Sequence, residues 1–307
     1  MNRKIYAIGE TVLDMMFMNE EPKAAKPGGS SLNSAVSLGR LKLPVYLISE
    51  WGQDQAGKLI ENFLVSNHVN LNHVYRYSEG KSSLAMAFLN EEGKASYDFY
   101  KIYPSERFQI DFPEIKKDDI ILFGSFYAIS PDIYPHVSSF VQHARKNEAF
   151  IIYDPNFRKP HLDDLPKVKH FIEKNISYAH IVKGSNEDFE LIFGCKDGKE
   201  AFERIQQYGC SYLIYTTGSA GAEFYSQHGS LSVPAGKDKI VSTIGAGDNF
   251  SAGIIYTLYK SQITTGNLHE MGMNQWTEVL QSGTDFAGHV CTFYENYISM
   301  EFAKGYS

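Results

Sequence analysis

The sequence is short of several features that would assign it quickly. Cysteine is scarce: Cys195, Cys210 and Cys291 stand far apart in 307 residues, and no C-x-x-C pair occurs. That argues against a disulfide framework and against a thiolate zinc site. The ten histidines include no H-E-x-x-H pattern, so they suggest no metal ligands. Basic charge is not in excess. Lys and Arg number 29 against 36 Asp and Glu, a formal net charge of −7. Such a balance disfavours non-specific binding to nucleic acid or anionic membrane, while leaving room for a local basic pocket. The chain contains no apolar run of about 18 residues, the length that would suggest a membrane span. The opening segment MNRKIYAIGETVLD begins basic, but Glu10 and Asp14 interrupt it too early for a signal peptide. A soluble cytoplasmic protein is expected.

The familiar phosphate-binding glycine motifs are missing as well. Walker A (GxxxxGK[ST]) is absent. The turn G-A-G-D-N-F at 245–250 lacks the last glycine of GxGxxG, so a Rossmann dinucleotide fingerprint is not supported.

What is present is an ordinary globular composition, 43% hydrophobic and 21% charged, long enough for one large or two modest domains. Short apolar runs alternate with helical patterns. KIYAIG (4–9), VYLIS (45–49), IILF (120–123), FIIY (150–153), HIVK (180–183) and YLIYT (212–216) read as strands. Leu32, Ala35, Val36 and Gly39 share one helical face, as do Leu59, Ile60, Phe63 and Leu64. Ile133, Val137, Phe140, Val141 and Ala144 form a third stripe. This alternation predicts an α/β fold, a doubly wound, mainly parallel sheet flanked by helices on both faces. Ligands in such folds bind at the carboxyl ends of the strands. Two segments break the alternation, 11–27 and 82–103. Both read as hairpin material, the second turning at Glu91–Lys94, and together they could form a small sheet over one edge of the main domain. The expected division is a core of 1–10, 28–81 and 104–307 with a β lid of 11–27 and 82–103.

The segment STIGAGDNFSAGIIYTLYK (242–260) concentrates the chemistry. Phe250, Ile254 and Leu258 give the run after the glycines one apolar helical face. Gly245 and Gly247 allow a tight turn that aims successive N–H groups one way, and a helix N-terminus adds orphan donors and partial positive charge. Such a place binds anions. Asp248 has two readings there: a helix-capping acid, or a carboxylate facing a reacting group. Other strand ends also carry polar or glycine residues, namely GETVLD, PGGSSLN, DPNFR and TTGSAG. SNED (185–188) could be a capping box with Asp in place of Glu.

In their order these segments resemble the ribokinase-like carbohydrate kinases, the PfkB family, and within it the fructokinases. PGGSSLNSAVSLGRL…LISEWGQDQAGKLI resembles the family's N-terminal signature, DPNFR its central element, and TIGAGDNFSAGIIYTL the C-terminal signature written DTxGAGD. The resemblance implies a ribokinase-like core with a small β-sheet lid and ATP-dependent phosphorylation of a sugar hydroxyl. Asp248 would be the base, with the backbone of Gly245, Ala246 and Gly247 as anion hole. It implies sugar contacts from Asp14, Gly28, Gly29, Asn33, Lys101 and Arg158. It also implies nucleotide contacts from Ser185, Thr217, Gly218 and Gly247, and a water-mediated Mg²⁺ contact from Asp188. Four positions depart from the pattern. Ser185 and Asp188 replace the Asn and Glu of the family's Asn-x-x-Glu. Ser242 replaces the first Asp of DTxGAGD, which often supports a monovalent-cation site, so K⁺ activation is left open. Gly288 stands where many members have Asn, which bears on adenine contacts. Fructose is the expected sugar, with 2-keto-3-deoxygluconate or a catalytically inactive sugar-binding regulator as alternatives. Lid pairing would make a homodimer.

Overall fold

The computed structural model describes residues 3–18, 20–89 and 95–306. In chain order the first strands are β1 (Ile5–Ile8), β2 (Val12–Met18) and β3 (Glu21–Gly28), followed by α1 (Ser30–Arg40), β4 (Val45–Gly52) and α2 (Gln55–Ser66). Then come β5 (Asn70–Tyr77), β6 (Lys81–Leu89), β7 (Ala95–Ile102), β8 (Ile120–Gly124) and α3 (Tyr134–Lys146). β9 (Phe150–Asp154), α4 (Leu165–Tyr178), β10 (Ile181–Ser185), α5 (Asn186–Phe193), α6 (Gly198–Gln206) and β11 (Tyr212–Thr216) continue the alternation. The chain closes with β12 (Ala222–Ser226), β13 (Gly229–Val233), α7 (Ala246–Lys260), α8 (Met273–Cys291) and α9 (Met300–Lys304).

Nine strands form one sheet in the order β13-β12-β11-β10-β9-β8-β1-β4-β5. The seven from β11 to β5 are parallel, while β12 and β13 add an antiparallel edge. The central strands are buried on both faces, as their continuous Ile, Leu and Phe content requires. Successive residues point to opposite layers. Ile5 and Ala7 join the core that holds Leu32 and Val36 of α1 and Ile254 and Leu258 of α7. Tyr6 and Ile8 join the core that holds Val137 and Phe140 of α3 and Ile172 of α4.

Chain order reverses at β1. The chain runs outward through β4 and β5, then returns to place β8 on the other side of β1. This is a topological switch point, and its crevice opens at the strands' carboxyl ends.

A second sheet, β3-β2-β6-β7, is built from the two segments that break the alternation. Each segment contributes an antiparallel pair, and β2 joins β6 in parallel. The parallel join follows from the long excursion through α1, β4, α2 and β5 that separates the two pairs, since parallel neighbours need a crossover connection. The turn expected at Glu91–Lys94 lies outside the described residues. No helix among the described residues is long and apolar enough to cross a membrane.

Candidate active site

Helix α7 starts at the glycine turn. Gly245 is its N-cap, at φ 78°, and a Cβ there would meet the Asn296 carbonyl oxygen at 2.6 Å. Glycine is therefore needed for conformation and for space. The Gly245 carbonyl accepts the Asn249 N–H at 2.9 Å and its side-chain amide at 2.7 Å. The Ala246 N–H is already directed to Thr243 O at 3.3 Å. The N–H groups of Gly247 and Asp248 come next in the first turn, where a helix supplies no acceptor of its own.

Asp248 is half-buried and tied to α1. Asn33 Nδ2 donates to Asp248 Oδ2 at 2.8 Å, and Ser34 Oγ donates to the Asp248 carbonyl at 2.7 Å. Burial pushes the Asp248 carboxyl up to about 6, against the opposing pull of the Asn33 hydrogen bond and the Lys183 charge. The N-cap is a glycine, so no capping hydrogen bond from a side chain occurs at this helix start, and the Asp248 carboxylate is engaged by Asn33 instead.

On one side of Asp248 lie the residues expected for the sugar. Asp14, in β2, is raised to about 7 by desolvation. It packs so closely on Gly28 that a Cβ at that glycine would sit 2.0 Å from Asp14 Oδ2. Gly29 is the N-cap of α1 at φ 131° and lies against the Glu10 carbonyl, 2.2 Å from where its Cβ would be. Lys101 is drawn into an ion pair with Glu10, 2.6 Å away at the carboxyl end of β1. Tyr103 donates its hydroxyl to the same carboxylate.

On the other side opens a cleft of about 570 Å³, a size suited to a nucleotide. Arg158, Ser185, Asp188, Gly218, Ala246 and Gly247 all line it. So do Gly288 and Cys291 of α8. Gly288 leaves open space where a side chain would stand. Thr217 is not on the wall: its hydroxyl donates to Gly221 O at 3.1 Å and closes the turn, while Thr216 and Gly218 face the cleft. Gly245 also stays off the wall and acts through the turn it forms.

Ser185 and Asp188 do form a capping box at α5. Asp188 Oδ2 accepts the Ser185 N–H and hydroxyl, both at 2.6 Å, and Oδ1 accepts the Phe157 N–H at 2.6 Å. Asp188 therefore fastens the DPNFR loop to the start of α5. A carboxylate offers about four lone-pair sites, so a position remains for a water. Among the described residues no group of three His, Cys, Asp or Glu side chains could hold a metal. A Mg²⁺ bound mainly by phosphates and water fits this donor set. Ser242 is used locally, accepting the Ile244 N–H at 3.2 Å.

The spacing of motifs did not point to Lys183 or Asp154. Lys183 Nζ lies 2.8 Å from Asp154 Oδ2 in a buried pair and 3.2 Å from the Gly247 carbonyl. The available signal was a lysine inside the apolar run HIVK, since a buried lysine requires a partner.

A switch-point crevice with a raised carboxylate at a helix start, a nucleotide-sized cleft and a sheet beside it defines the ribokinase-like class. Comparison with known proteins agrees. The model of the pfkB family carbohydrate kinases matches residues 3–299, and the chain belongs to that family. It is an ATP-dependent sugar kinase. It is 30% identical to a probable chloroplastic fructokinase-6 of Arabidopsis thaliana over 83% of this chain and 70% of that protein. Among solved structures, a Vibrio cholerae O395 fructokinase with bound fructose, ADP and calcium superposes with a TM-score of 0.86 at 18% identity, covering 99% and 98% of the two chains. An aminoimidazole riboside kinase of Salmonella enterica, complexed with aminoimidazole riboside and an ATP analog, gives 0.85 at 20% identity over 99% of each.

Proposed function

We propose that the chain is a fructokinase, transferring the γ-phosphate of ATP to a hydroxyl of D-fructose to give fructose 6-phosphate. The observation that carries this reading is the position of Asp248, between the Asp14–Gly28–Asn33 group and the nucleotide-sized cleft. The Asp248 carboxylate takes the proton of the attacking hydroxyl. The hydroxyl oxygen forms its bond to the γ-phosphorus as the bond to the bridging oxygen breaks, and ADP leaves with that electron pair. With its carboxyl near 6, Asp248 is ionised at neutral pH and still basic enough to share a proton in the transition state. The N–H groups of Gly247 and Asp248 and the exposed Arg158 face the charge that builds on the phosphoryl oxygens, and positioning of this kind supplies most of the catalysis in phosphoryl transfer. Bound Mg²⁺ would neutralise phosphate charge, with Asp188 holding one of its waters.

Asp14, Asn33 and the backbone at Gly28 and Gly29 orient the sugar, and Lys101 reaches it by leaving Glu10. The β2-β3-β6-β7 sheet acts as a lid over this side, excluding water from the phosphate. Its exposed Phe88, Tyr100 and Ile102 favour pairing of two lids in a homodimer, which sedimentation velocity would detect. The substrate test is ADP release across fructose, 2-keto-3-deoxygluconate, ribose and aminoimidazole riboside, with Asp248→Asn in parallel. Fructose should give the highest kcat/KM. Sugar binding without turnover in the native chain would instead favour a regulator.

A further inference from the structure

Beside Asp248 lies a small pocket that the transfer step does not use. Its volume is about 10 Å³, room for the centre of one water. Ser31 and Ser34 of α1, Gly124 of β8, Ser251 of α7, Asp154 and Asp248 are among its walls. The serine hydroxyls are turned into the protein. Ser31 donates to Ile8 O at 2.7 Å and Ser34 to Asp248 O. Ser251 lies 3.2 Å from both Asp154 Oδ2 and Gly247 O.

Asp154 is only 7% exposed, and its two oxygens differ. Oδ2 has Lys183 and Ser251. Oδ1 has no hydrogen-bond partner among the described residues. A buried carboxylate oxygen left bare is costly, and Asp154 is one of the residues lining the pocket.

We propose that one ordered water fills this pocket, donating to Asp154 Oδ1 and facing Asp248 with its other O–H, and that Asp154 is thereby a positioning residue for the reaction. Asp154 touches no substrate. It fixes Lys183, which fixes the Gly247 carbonyl at the start of α7, and its negative charge keeps Asp248 basic. The groups acting on Asp248 come from each neighbouring element: Asn33 of α1, Asp154 of β9, Lys183 of β10 and Arg158 of the loop after β9. Asp154 alone among them raises its proton affinity.

The inference rests on reading Asp248 as the base, and the test separates the two. For the full-length chain, kcat is measured against pH with saturating sugar and MgATP. Asp154→Asn removes a like charge and frees Lys183 towards Asp248, and both effects favour the carboxylate. The acid limb should move down by about one pH unit. kcat above pH 8 should fall severalfold, by no more than about tenfold, with the sugar KM unchanged, because the base is weaker. A purely structural role would lower the active fraction and leave the limb in place, overturning the proposal. Should this variant not fold, a high-resolution crystal structure of the native chain decides. Water density bonded to Asp154 Oδ1 supports the proposal, and a dry pocket beside a protonated Asp154 overturns it. Full turnover in Asp248→Asn would instead defeat the base reading itself.

Discussion

Asn33 donates to the Asp248 carboxylate at 2.8 Å across 215 positions of sequence, and with the Ser34 hydroxyl on the Asp248 carbonyl it joins the first turns of α1 and α7. The Asn33 Oδ1 has no partner among the described residues although it is buried, which leaves an unused acceptor next to the Asp248 carboxylate. The donor half of the amide favours the ionised form of Asp248. Asn33→Leu should therefore move the acid limb of kcat above pH 6, the direction opposite to Asp154→Asn. Loss of a hydrogen bond to a charged group is worth about 1.5–3 kcal/mol, which lifts the limb by about one to two pH units, so kcat at pH 7 should fall about two- to fifteenfold as the ionised fraction drops. Initial rates between pH 5 and 9 check both expectations.

Two raised carboxylates, on different elements, should be separable by pH. Asp14 is held near 7 and Asp248 near 6, in both cases chiefly by burial. An ionised Asp14 accepts sugar hydroxyl bonds more strongly than a protonated one. The sugar KM should rise as pH falls through about 7, while kcat falls only through about 6. In Asp14→Asn the KM should be high and flat with pH, and the kcat limb should stay in place. A KM for native enzyme that is level from pH 6 to 8 would remove Asp14 from sugar binding.

Much of this architecture was legible because its signals are local. The strand–helix alternation, the glycine turn before α7 and the Ser185–Asp188 capping box each lie within a few residues, and each forms as its spacing suggests. Local pattern is silent on which residue of the TTG turn faces the cleft. In a tight turn adjacent residues face different ways. Contacts between elements left no such trace. Lys183 and Asp154 sit on neighbouring strands 29 residues apart, and only the oddity of a lysine in an apolar run hinted at their pairing. The parallel join of β2 to β6 depends on where the long excursion between them returns, which no short window records.

Gly28→Ala tests how tightly Asp14 is placed. The added methyl would fall 2.0 Å from Asp14 Oδ2 and 2.9 Å from its Cγ. The glycine ends β3 beside Val12 of β2, so the backbone has little freedom to retreat and the carboxylate must swing away. Overpacking of this kind costs about 1–3 kcal/mol. The sugar KM should rise at least about tenfold, with a smaller change in the KM for ATP because the cleft on the far side of Asp248 is untouched. A parallel rise in both constants would mean that the two sides are less independent than the walls of the site indicate.

Asp248→Asn should be inactive and more stable than the native chain at neutral pH. The folded protein holds the Asp248 proton up to about 6, against 3.8 for the ordinary group, so the native state binds that proton more tightly than the unfolded chain does. Native stability from this group is greatest below pH 4 and is lost as pH rises from about 4 to about 6. Above pH 6 the loss is complete and constant. Asparagine keeps the shape and can still accept the Asn33 amide, but it carries no charge to desolvate. The gain should be on the order of 2 kcal/mol at pH 7.5, a rise of a few degrees in Tm for a chain of this size. The difference should vanish at pH 4, where both side chains are neutral in the folded state. Thermal melts of the two proteins at pH 4 and pH 7.5 give the comparison. An equal or lower Tm for the variant at pH 7.5 would show that Asp248 is not strained by burial, and that its acid limb should lie nearer pH 4 than pH 6.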